Sequence, residues 1–194
     1  MSGKTRQRFF YCPKCGGKLD YRYYQGIPRL TCVSCTYVLF ENPVVGVAAI
    51  VLNDKNQILL GRRKEGQYQG LWCIPCGYVE YEEDVYDAVT REFKEETGLD
   101  IDLIRVFTVQ SNFHNPENHT VGIWFLARVR EGSPVAGDDL DAVGYFDLHK
   151  VPQLAFPTDH IVINYLRKEI MRSQKANSLY DSKVNWLTKP DRLY

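Results

Sequence analysis

The chain has 194 residues, and its 24 lysines and arginines balance its 24 aspartates and glutamates. This balance excludes an overall electrostatic attraction for nucleic acid or for an anionic membrane surface. No apolar run approaches the ~20 residues of a bilayer-spanning helix, and the basic N-terminus lacks the apolar stretch of a secretory signal. We therefore expect a cytoplasmic protein with one sizeable core and length left for a small additional module.

Two Cys-x-x-Cys pairs stand near the N-terminus: Cys12 with Cys15, and Cys32 with Cys35. This spacing is typical of a structural site with four thiolates on Zn²⁺, and a module this small has almost no core of its own. We expect residues 1–41 to form a zinc ribbon whose metal supplies much of the folding free energy. Four unligated thiols are the alternative. Scattered basic residues nearby leave open a role of the ribbon in binding nucleic acid or a partner.

The segment after the ribbon begins with a predicted hairpin. A continuous apolar run over residues 44–52 predicts a buried strand, and polar turn residues separate it from a return strand over residues 57–63. Arg62 and Arg63 end that return strand. They are either solvated charges at a strand end or cations that hold a substrate phosphate.

A third Cys-x-x-Cys pair follows in the run Trp72-Cys73-Ile74-Pro75-Cys76, which resembles the redox motif of thioredoxins. That motif needs its first cysteine at a helix N-terminus, where the thiolate is stabilised. Here the predicted helix starts several residues later. We therefore expect Cys73 and Cys76 to be structural thiols, with a thiol oxidoreductase as the alternative.

The most informative segment is a predicted helix in which one face changes from apolar to acidic. Val85, Ala88 and Val89 recur at helical spacing, and Gly98 is a natural helix end. Two further turns place three glutamates on the same face: Glu92, Glu95 and Glu96. Like charges at this spacing repel, and a hard divalent cation such as Mg²⁺ would relieve the repulsion. A solvated acidic helix face is the alternative.

The remainder of the chain predicts three strands and a second helix. The strands cover residues 101–110, 121–129 and 142–147, and the helix covers about 158–172. We expect five residues on the apolar side of this helix: Ile161, Ile163, Tyr165, Leu166 and Ile170. Strands interleaved with two helices indicate an α/β fold around a mixed sheet. The loop 111–120 offers Phe113 and His114 for ligand contacts, and the acidic loop 132–141 offers Asp139. We assign no role to residues 173–194.

The acidic helix also carries a family signature. Residues 77–99 read GYVEYEEDVYDAVTREFKEETGL and match the Nudix box, Gly-x5-Glu-x7-Arg-Glu-apolar-x-Glu-Glu-x-Gly-apolar, at every specified position. The sequence therefore resembles the Nudix hydrolases from about residue 42 to residue 168. The resemblance implies an α/β/α sandwich around a mixed sheet, here over residues 42–172. It also implies a metal-dependent enzyme that cleaves the pyrophosphate bond of a nucleoside diphosphate linked to another group.

Site roles follow from the same resemblance. It implies four ligands for Mg²⁺ or Mn²⁺: Glu92, Glu95, Glu96 and the carbonyl of Gly77. Glu92 is also implied as a catalytic base, Arg91 as the residue that orients it, and Glu83 as the ion-pair partner of Arg91. Cys76 stands where the family usually has a glycine, so the loop before the helix departs from the family pattern.

The four-cysteine ribbon makes the chain most similar to Nudix enzymes that act on ADP-ribose, FAD or NADH. Residues 109–116 lack the Ser-Gln-Pro-Trp-Pro-Phe-Pro-x-Ser run of NADH pyrophosphatases. We therefore predict a nucleotide-derived small molecule, ADP-ribose or FAD, as the substrate. We expect five residues to bind it: Arg62, Arg63, Phe113, His114 and Asp139. A nucleoside triphosphate pyrophosphatase is the alternative. The sequence does not favour nucleic acid or a membrane as a partner, and it leaves a homodimer open.

Overall fold

The computed structural model describes residues 7–173. It separates into two compact units, Met1–Asn42 and Pro43–Tyr194. The predicted tail lies outside the described residues except for Ser173. In the part of the chain that is described, no helix is both long and apolar enough to cross a membrane.

The N-terminal unit is a small antiparallel sheet of three strands in the order β1-β2-β3. The strands are β1 (Leu19–Tyr24), β2 (Ile27–Cys32) and β3 (Val38–Leu39). A tight turn joins β1 to β2 through Gln25 and Gly26, which both have positive φ (52° and 79°). The buried core of this unit consists of only four side chains: Cys12, Leu19, Leu30 and Cys32. A core of four side chains is too small to stabilise this unit alone, so a further stabilising interaction is needed.

The second unit contains two sheets and two helices. Its strands are β4 (Val44–Val51), β5 (Gln57–Arg63), β6 (Trp72–Cys73), β7 (Cys76–Tyr78), β8 (Asp100–Asn112), β9 (Thr120–Glu131) and β10 (Leu140–Asp147). Its helices are α1 (Val85–Thr97) and α2 (Pro157–Ser173). One sheet has the order β7-β4-β9-β8 and the other β10-β5-β6. The pairing of β4 with β9 is parallel, whereas β4 with β7 and β8 with β9 are antiparallel. The predicted α/β class with a mixed sheet is confirmed.

Successive residues of β4 belong to two different apolar clusters. Val47 and Val51 pack in a cluster with the α1 residue Phe93, while Ile50 packs in a second cluster with the α2 residue Leu166. Because alternate side chains of a strand point to opposite faces, the two helices cover opposite faces of the sheet that contains β4. A strand buried on both faces needs an unbroken apolar sequence, which explains the run that predicted it.

The buried side of α2 differs from the sequence-based expectation. The residues that pack into the core are Val162, Ile163, Leu166 and Ile170. Ile161 and Tyr165, which were expected on the apolar side, are exposed. They lie four residues apart on a neighbouring stripe of the helix, about 100° from the stripe of Val162 and Leu166.

The ends of α1 are defined by its caps. The Asp84 carboxylate accepts a hydrogen bond from the backbone N–H of Tyr86 at 2.9 Å. At the other end Gly98 is in the left-handed conformation (φ 70°), and its N–H donates to the carbonyl of Lys94 at 2.8 Å. These caps fix the register of the helix and therefore the face on which its glutamates lie.

Gly61→Ala is expected to destabilise the protein by about 1–3 kcal/mol because it overpacks a buried contact. A Cβ at Gly61 would lie 2.1 Å from Cδ1 of Leu140 and 3.1 Å from its Cδ2 and Cγ, and Leu140 is 3% exposed. The matched control is Gly144→Ala in the facing strand, where the added Cβ would meet Phe146 at an ordinary 3.5 Å. Urea titration measures both free energies of unfolding. Equal stability of the two variants would contradict the expectation.

Candidate active site

The acidic face of α1 runs from the protein interior towards its surface. The apolar stripe of the helix includes Val89 and Phe93, which are buried. Glu96 continues this stripe and is 1% exposed, Glu92 is mostly buried, and Glu95 is half exposed. Helical periodicity therefore places the carboxylate of Glu96 in the core, whereas Glu92 and then Glu95 lie progressively closer to solvent.

Glu96 is a buried acid whose nearest hydrogen-bond donor is neutral. Its Oε2 accepts from the backbone N–H of Cys76 at 2.8 Å. Burial raises the pKa of Glu96 to about 8, and the charge of Glu92 acts in the same direction. The Cys76 N–H and the positive charge of Arg63 act in the opposite direction without cancelling the effect of burial. The site is therefore short of positive charge at the position of Glu96.

Arg91 joins three carboxylates. Its Nε and Nη2 donate to the two oxygens of Glu83 at 2.7 and 2.8 Å, which makes a bidentate pair. Its Nη1 donates to Glu92 Oε1 at 2.8 Å and to Glu95 Oε2 at 3.1 Å. The hydrogen bonds from Arg91 lower the pKa of Glu83 to about 2. Glu83 stands before the helix, so helix geometry alone does not bring it to Arg91; the preceding turn does, at Glu82 with φ 69°.

Gly77 and Glu92 are in close contact. A Cβ placed on Gly77 would lie 2.0–2.4 Å from the carboxyl group of Glu92, so the side chain of Glu92 occupies the space that any other residue type would fill. The backbone of Gly77 and the carboxylates of Glu92, which is mostly buried, and Glu96, which is buried, form an oxygen-rich site. Such a site suits a hard divalent cation.

The three glutamates nevertheless do not converge on one point. Glu92 and Glu95 both bond to Arg91. Within residues 7–173, the four ribbon cysteines are the one group of potential ligands whose donor atoms all lie within 4.8 Å of one another. Binding of a cation by all three glutamates would therefore require side chains to move, and Glu95 is the most exposed of the three.

A cavity of about 410 Å³ lies beside the acidic face and includes Gly77, Glu92 and Glu96 in its lining. Arg63, His114 and Asp139, three of the five residues expected to bind substrate, also line this cavity. Arg63 Nη2 donates to Asp139 Oδ2 at 3.0 Å, while Arg63 Nε is buried without a hydrogen-bond partner among the described residues. The cavity wall thus contains a positively charged side chain, Arg63, whose Nε–H has no acceptor among the described residues.

The other two expected substrate residues do not belong to the cavity lining that the described part of the chain forms. Arg62 Nε donates to Asp141 Oδ1 at 2.7 Å in an exposed pair. Phe113 is 68% exposed and packs edge-on against His119 at 5.1 Å. Their roles in substrate binding stay predictions.

Sequence reasoning missed several residues of the cavity. Its lining includes an aromatic and acidic set from three separate parts of the chain: Tyr68, Trp124, and Phe156 with Asp159. An acidic residue in the first turn of a helix is ordinary, because the helix dipole favours negative charge there, so Asp159 carried no signal. Trp124 lies in an apolar strand, where a buried aromatic residue is also ordinary.

Cys73 and Cys76 lie in β6 and β7 rather than at a helix N-terminus. Cys73 is fully buried. The neighbouring Cys73 thiol and burial raise the pKa of Cys76 well above the usual value of a thiol. These surroundings oppose thiolate formation, and they support the prediction that this pair is structural.

The four cysteines of the N-terminal unit form a compact cluster. The Sγ atoms of Cys12 and Cys35 are 3.8 Å apart, and Cys15 Sγ lies 3.5 Å from both Cys32 Sγ and Cys35 Sγ. Four thiolates bound to one tetrahedral Zn²⁺ at ~2.3 Å lie about 3.8 Å from one another. The donor set and its spacing therefore fit a zinc ion.

Comparison with known proteins adds an independent line of evidence. Residues 42–166 match the NUDIX domain. An ADP-ribose pyrophosphatase from Methanocaldococcus jannaschii is 39% identical over 132 residues, which cover 68% of this chain and 78% of that protein. A NAD-capped RNA hydrolase, NudC, from Vibrio atlanticus is 32% identical over 176 residues, which cover 90% of this chain and 62% of that protein.

The fold is similar to that of solved structures. A NUDIX hydrolase from Nitrosomonas europaea superposes with a TM-score of 0.73 at 26% sequence identity. The superposition covers 88% of this chain and 94% of the Nitrosomonas chain. The superposition thus includes nearly the whole Nitrosomonas structure. In contrast, the match to the Vibrio NudC protein covers less than two thirds of that protein's length.

Protein purified without added zinc is expected to contain about one Zn²⁺ per chain, measured by plasma mass spectrometry, because the N-terminal unit lacks a core that folds unaided. Cys32→Ser should lose the metal and speed amide hydrogen exchange in residues 7–42 but not in residues 43–173. Cys73→Ser is the matched control and should keep the zinc. A zinc-free preparation with slow exchange in residues 7–42 would contradict the assignment.

Glu96→Gln is expected to stabilise the protein at high pH in buffer without added divalent cations. The folded state raises the pKa of Glu96 from 4.5 to about 8, so ionisation of this group opposes folding as the pH rises through that window. Between about pH 5 and pH 8 the wild type should lose more than about 1 kcal/mol of unfolding free energy relative to the variant. Urea titrations measure the difference. Glu95→Gln, at a half-exposed position, should not show this gain, and identical pH profiles of Glu96→Gln and wild type would refute the argument.

Proposed function

This chain belongs to the NUDIX domain family and is a Nudix pyrophosphohydrolase, and we propose that it needs a divalent cation and acts on ADP-ribose or FAD. The membership confirms the resemblance indicated by residues 77–99. The observation that carries the proposal is the acidic, partly buried end of α1, where Glu96 and Glu92 both line the cavity. Enzymes place perturbed acids of this kind where a cation or a proton is handled.

The residues of α1 suit a metal site. Glu92, Glu95 and Glu96 would hold Mg²⁺ or Mn²⁺ together with the carbonyl of Gly77. The bound cation would neutralise pyrophosphate charge and lower the pKa of a coordinated water. In support, Glu96 is buried with a raised pKa, and a cation is the partner that would keep it ionised at neutral pH.

Arg91 and Glu83 would position Glu92. The bidentate pair fixes the guanidinium plane, and its Nη1 holds one oxygen of Glu92. The second oxygen of Glu92 makes no hydrogen bond to the described residues and is the one that would accept a proton from the attacking water. Burial raises the pKa of Glu92, which moves it towards the range where a general base works near neutral pH.

Arg63 would bind a phosphate oxygen of the substrate. Its Nε is buried and has no hydrogen-bond partner in residues 7–173. Its Nη2 donates to the carboxylate of Asp139, and a phosphate oxygen of the substrate can replace that carboxylate as the acceptor. This guanidinium has one N–H without an acceptor and a second bonded to an exposed carboxylate, so both can donate to the oxygens of a diphosphate. The cavity volume of about 410 Å³ lies in the range of small-molecule sites.

The relatives support ADP-ribose most directly. The Methanocaldococcus protein is named for that substrate and shares 39% identity over most of its own length. The Vibrio protein is named for NAD-capped RNA, which also contains an adenosine diphosphate group. That name makes capped RNA a second candidate, against which the balanced charge of this chain argues because RNA binding depends on phosphate neutralisation.

Three finer predictions remain as proposals. We propose Mg²⁺ or Mn²⁺ as the cation from the family resemblance and a cytoplasmic location from the composition, and a homodimer stays open. None of them changes the roles proposed for the α1 residues.

A substrate panel tests the proposal. With Mg²⁺ present, we expect ADP-ribose to yield AMP and ribose 5-phosphate, FAD to yield AMP and FMN, and NADH to be cleaved more slowly, as followed by chromatography of the products. Omission of divalent cations should abolish turnover. If nucleoside triphosphates are cleaved far faster than any dinucleotide, the protein is a triphosphatase and the substrate assignment is wrong.

Glu92→Gln is expected to lower kcat by about 10²-fold or more, because it removes a proton acceptor and a charged ligand while keeping side-chain size. Glu131→Gln is the matched control, since Glu131 is an exposed residue at the end of β9. Its kcat should stay within about twofold of wild type. Comparable rates in the two variants would place the base and the metal elsewhere.

A further inference from the structure

One face of the small N-terminal sheet carries basic and aromatic side chains that the proposed function does not use. Alternate residues of a strand point to the same face, and residues paired across two strands share a face. The pairing of Arg22 with Arg29 therefore places both side chains on one face together with Tyr24. The core residues Leu19 and Leu30 belong to the opposite face. We call the face that carries the two arginines the basic face.

Aromatic rings are interleaved with the cations of the basic face. The guanidinium of Arg29 lies over the ring of Phe40, 4.6 Å from its centroid, and Phe40 meets Tyr24 edge-on with the centroids 6.1 Å apart. Lys18 directly precedes β1, in step with the other side chains of this face, and it is paired with Tyr11. Each of the three rings is at least 38% exposed. Rings as exposed as these are free to stack on a ligand.

The cations of the basic face have no acidic partner. Arg22 and Arg29 lie directly opposite each other, and like charges in this position destabilise a sheet. Neither they nor Lys18 form an ion pair within residues 7–173. Asp20, an acid on the same face, instead accepts a hydrogen bond from the backbone N–H of Tyr21 at 2.9 Å. A unit with a core of only four side chains thus keeps a repulsion that an anionic ligand would relieve.

We propose that the basic face binds a single-stranded nucleic acid. Lys18, Arg22 and Arg29 contact its phosphates, and the rings of Tyr24 and Phe40 stack on its bases. Proteins that bind single strands without reading their sequence combine a basic track with aromatic stacking in this way. An acidic polypeptide would occupy the cations but would leave the exposed rings without a partner.

The size and charge of the basic face suit a short contact. The face extends about 20 Å from Lys18 to Tyr24, which spans a few nucleotides. The balanced charge of the whole chain opposes long-range attraction of a polyanion, whereas a local cluster of cations acts within about 10 Å. None of the residues of the basic face lines the cavity that the described residues form. The proposal therefore does not rest on the proposed function.

Fluorescence anisotropy of a fluorescein-labelled RNA oligoadenylate of about twelve nucleotides tests the proposal on the full-length protein. Without added divalent cations, the logarithm of the affinity should fall with the logarithm of the salt concentration by about 0.7 for each phosphate contact. The Arg22→Gln/Arg29→Gln double variant should bind at least about tenfold more weakly, and its salt slope should be smaller by about 1.4.

Arg128→Gln/Arg130→Gln is the matched control. It removes the same charge from exposed arginines of β9 that pair with aspartates, and its affinity should stay within about twofold of wild type. Phe40→Leu removes a ring, so it should weaken binding at least about fivefold without changing the salt slope. Zinc content and thermal unfolding verify that each variant is folded, and loss of the opposed arginines should leave the N-terminal unit no less stable.

Competition distinguishes the single strand from other polyanions. Unlabelled oligoadenylate should displace the probe better than either a duplex of the same length or poly-L-glutamate, because only the single strand offers both phosphates and unpaired bases. Equal displacement by poly-L-glutamate would show that the basic face takes an acidic polypeptide and would overturn the proposal. A wild type that does not bind the strand at low salt would also overturn it, as would an Arg22→Gln/Arg29→Gln protein that binds as tightly as the control.

Discussion

The hydrogen bonds of Arg91 hold the acidic end of α1 together. One guanidinium bonds to Glu83, Glu92 and Glu95 and also donates to the carbonyl of Tyr78. Glu92 and Glu95 would otherwise repel each other on one helix face. The bidentate pair with Glu83 also ties the loop before the helix to its second turn. The same residue therefore positions a carboxylate and holds the loop that joins β7 to α1.

Glu96 shows that this helix is not built for maximal stability. The stripe that buries Val89 and Phe93 also buries Glu96, where an apolar residue would pack at no electrostatic cost. The protein instead carries an acid whose pKa is raised to about 8 by burial. A cost of this kind is expected where function needs charge in a dry site, and the cation proposed for this site would relieve it. The pairing of burial and charge is thus the strongest physical sign of the site.

The sequence predicted what depends on local period and spacing. The strand at β4, the helix α1 and its acidic face follow from patterns within a few turns of chain, and the structure contains each of them. It predicted the apolar side of α2 only in part: Ile163, Leu166 and Ile170 are buried, whereas Ile161 and Tyr165, which are also apolar, are exposed. The cavity wall was missed for a different reason. Trp124 and Asp159 meet only through the pairing of distant strands with α2, and each residue alone is ordinary in its element.

Because the two helices lie on opposite faces of the β4 sheet, amino-acid substitutions on one face contact a different apolar cluster from those on the other. The glutamates of α1 adjoin one apolar cluster, while Trp124 belongs to the other cluster together with most of the buried side of α2. Substitutions in separate clusters tend to have additive energetic effects. Substitutions among the buried residues of α2 are therefore expected to leave the packing of α1 against its own cluster largely unchanged. Such a division lets one face of the sheet accumulate changes while the other face keeps its packing.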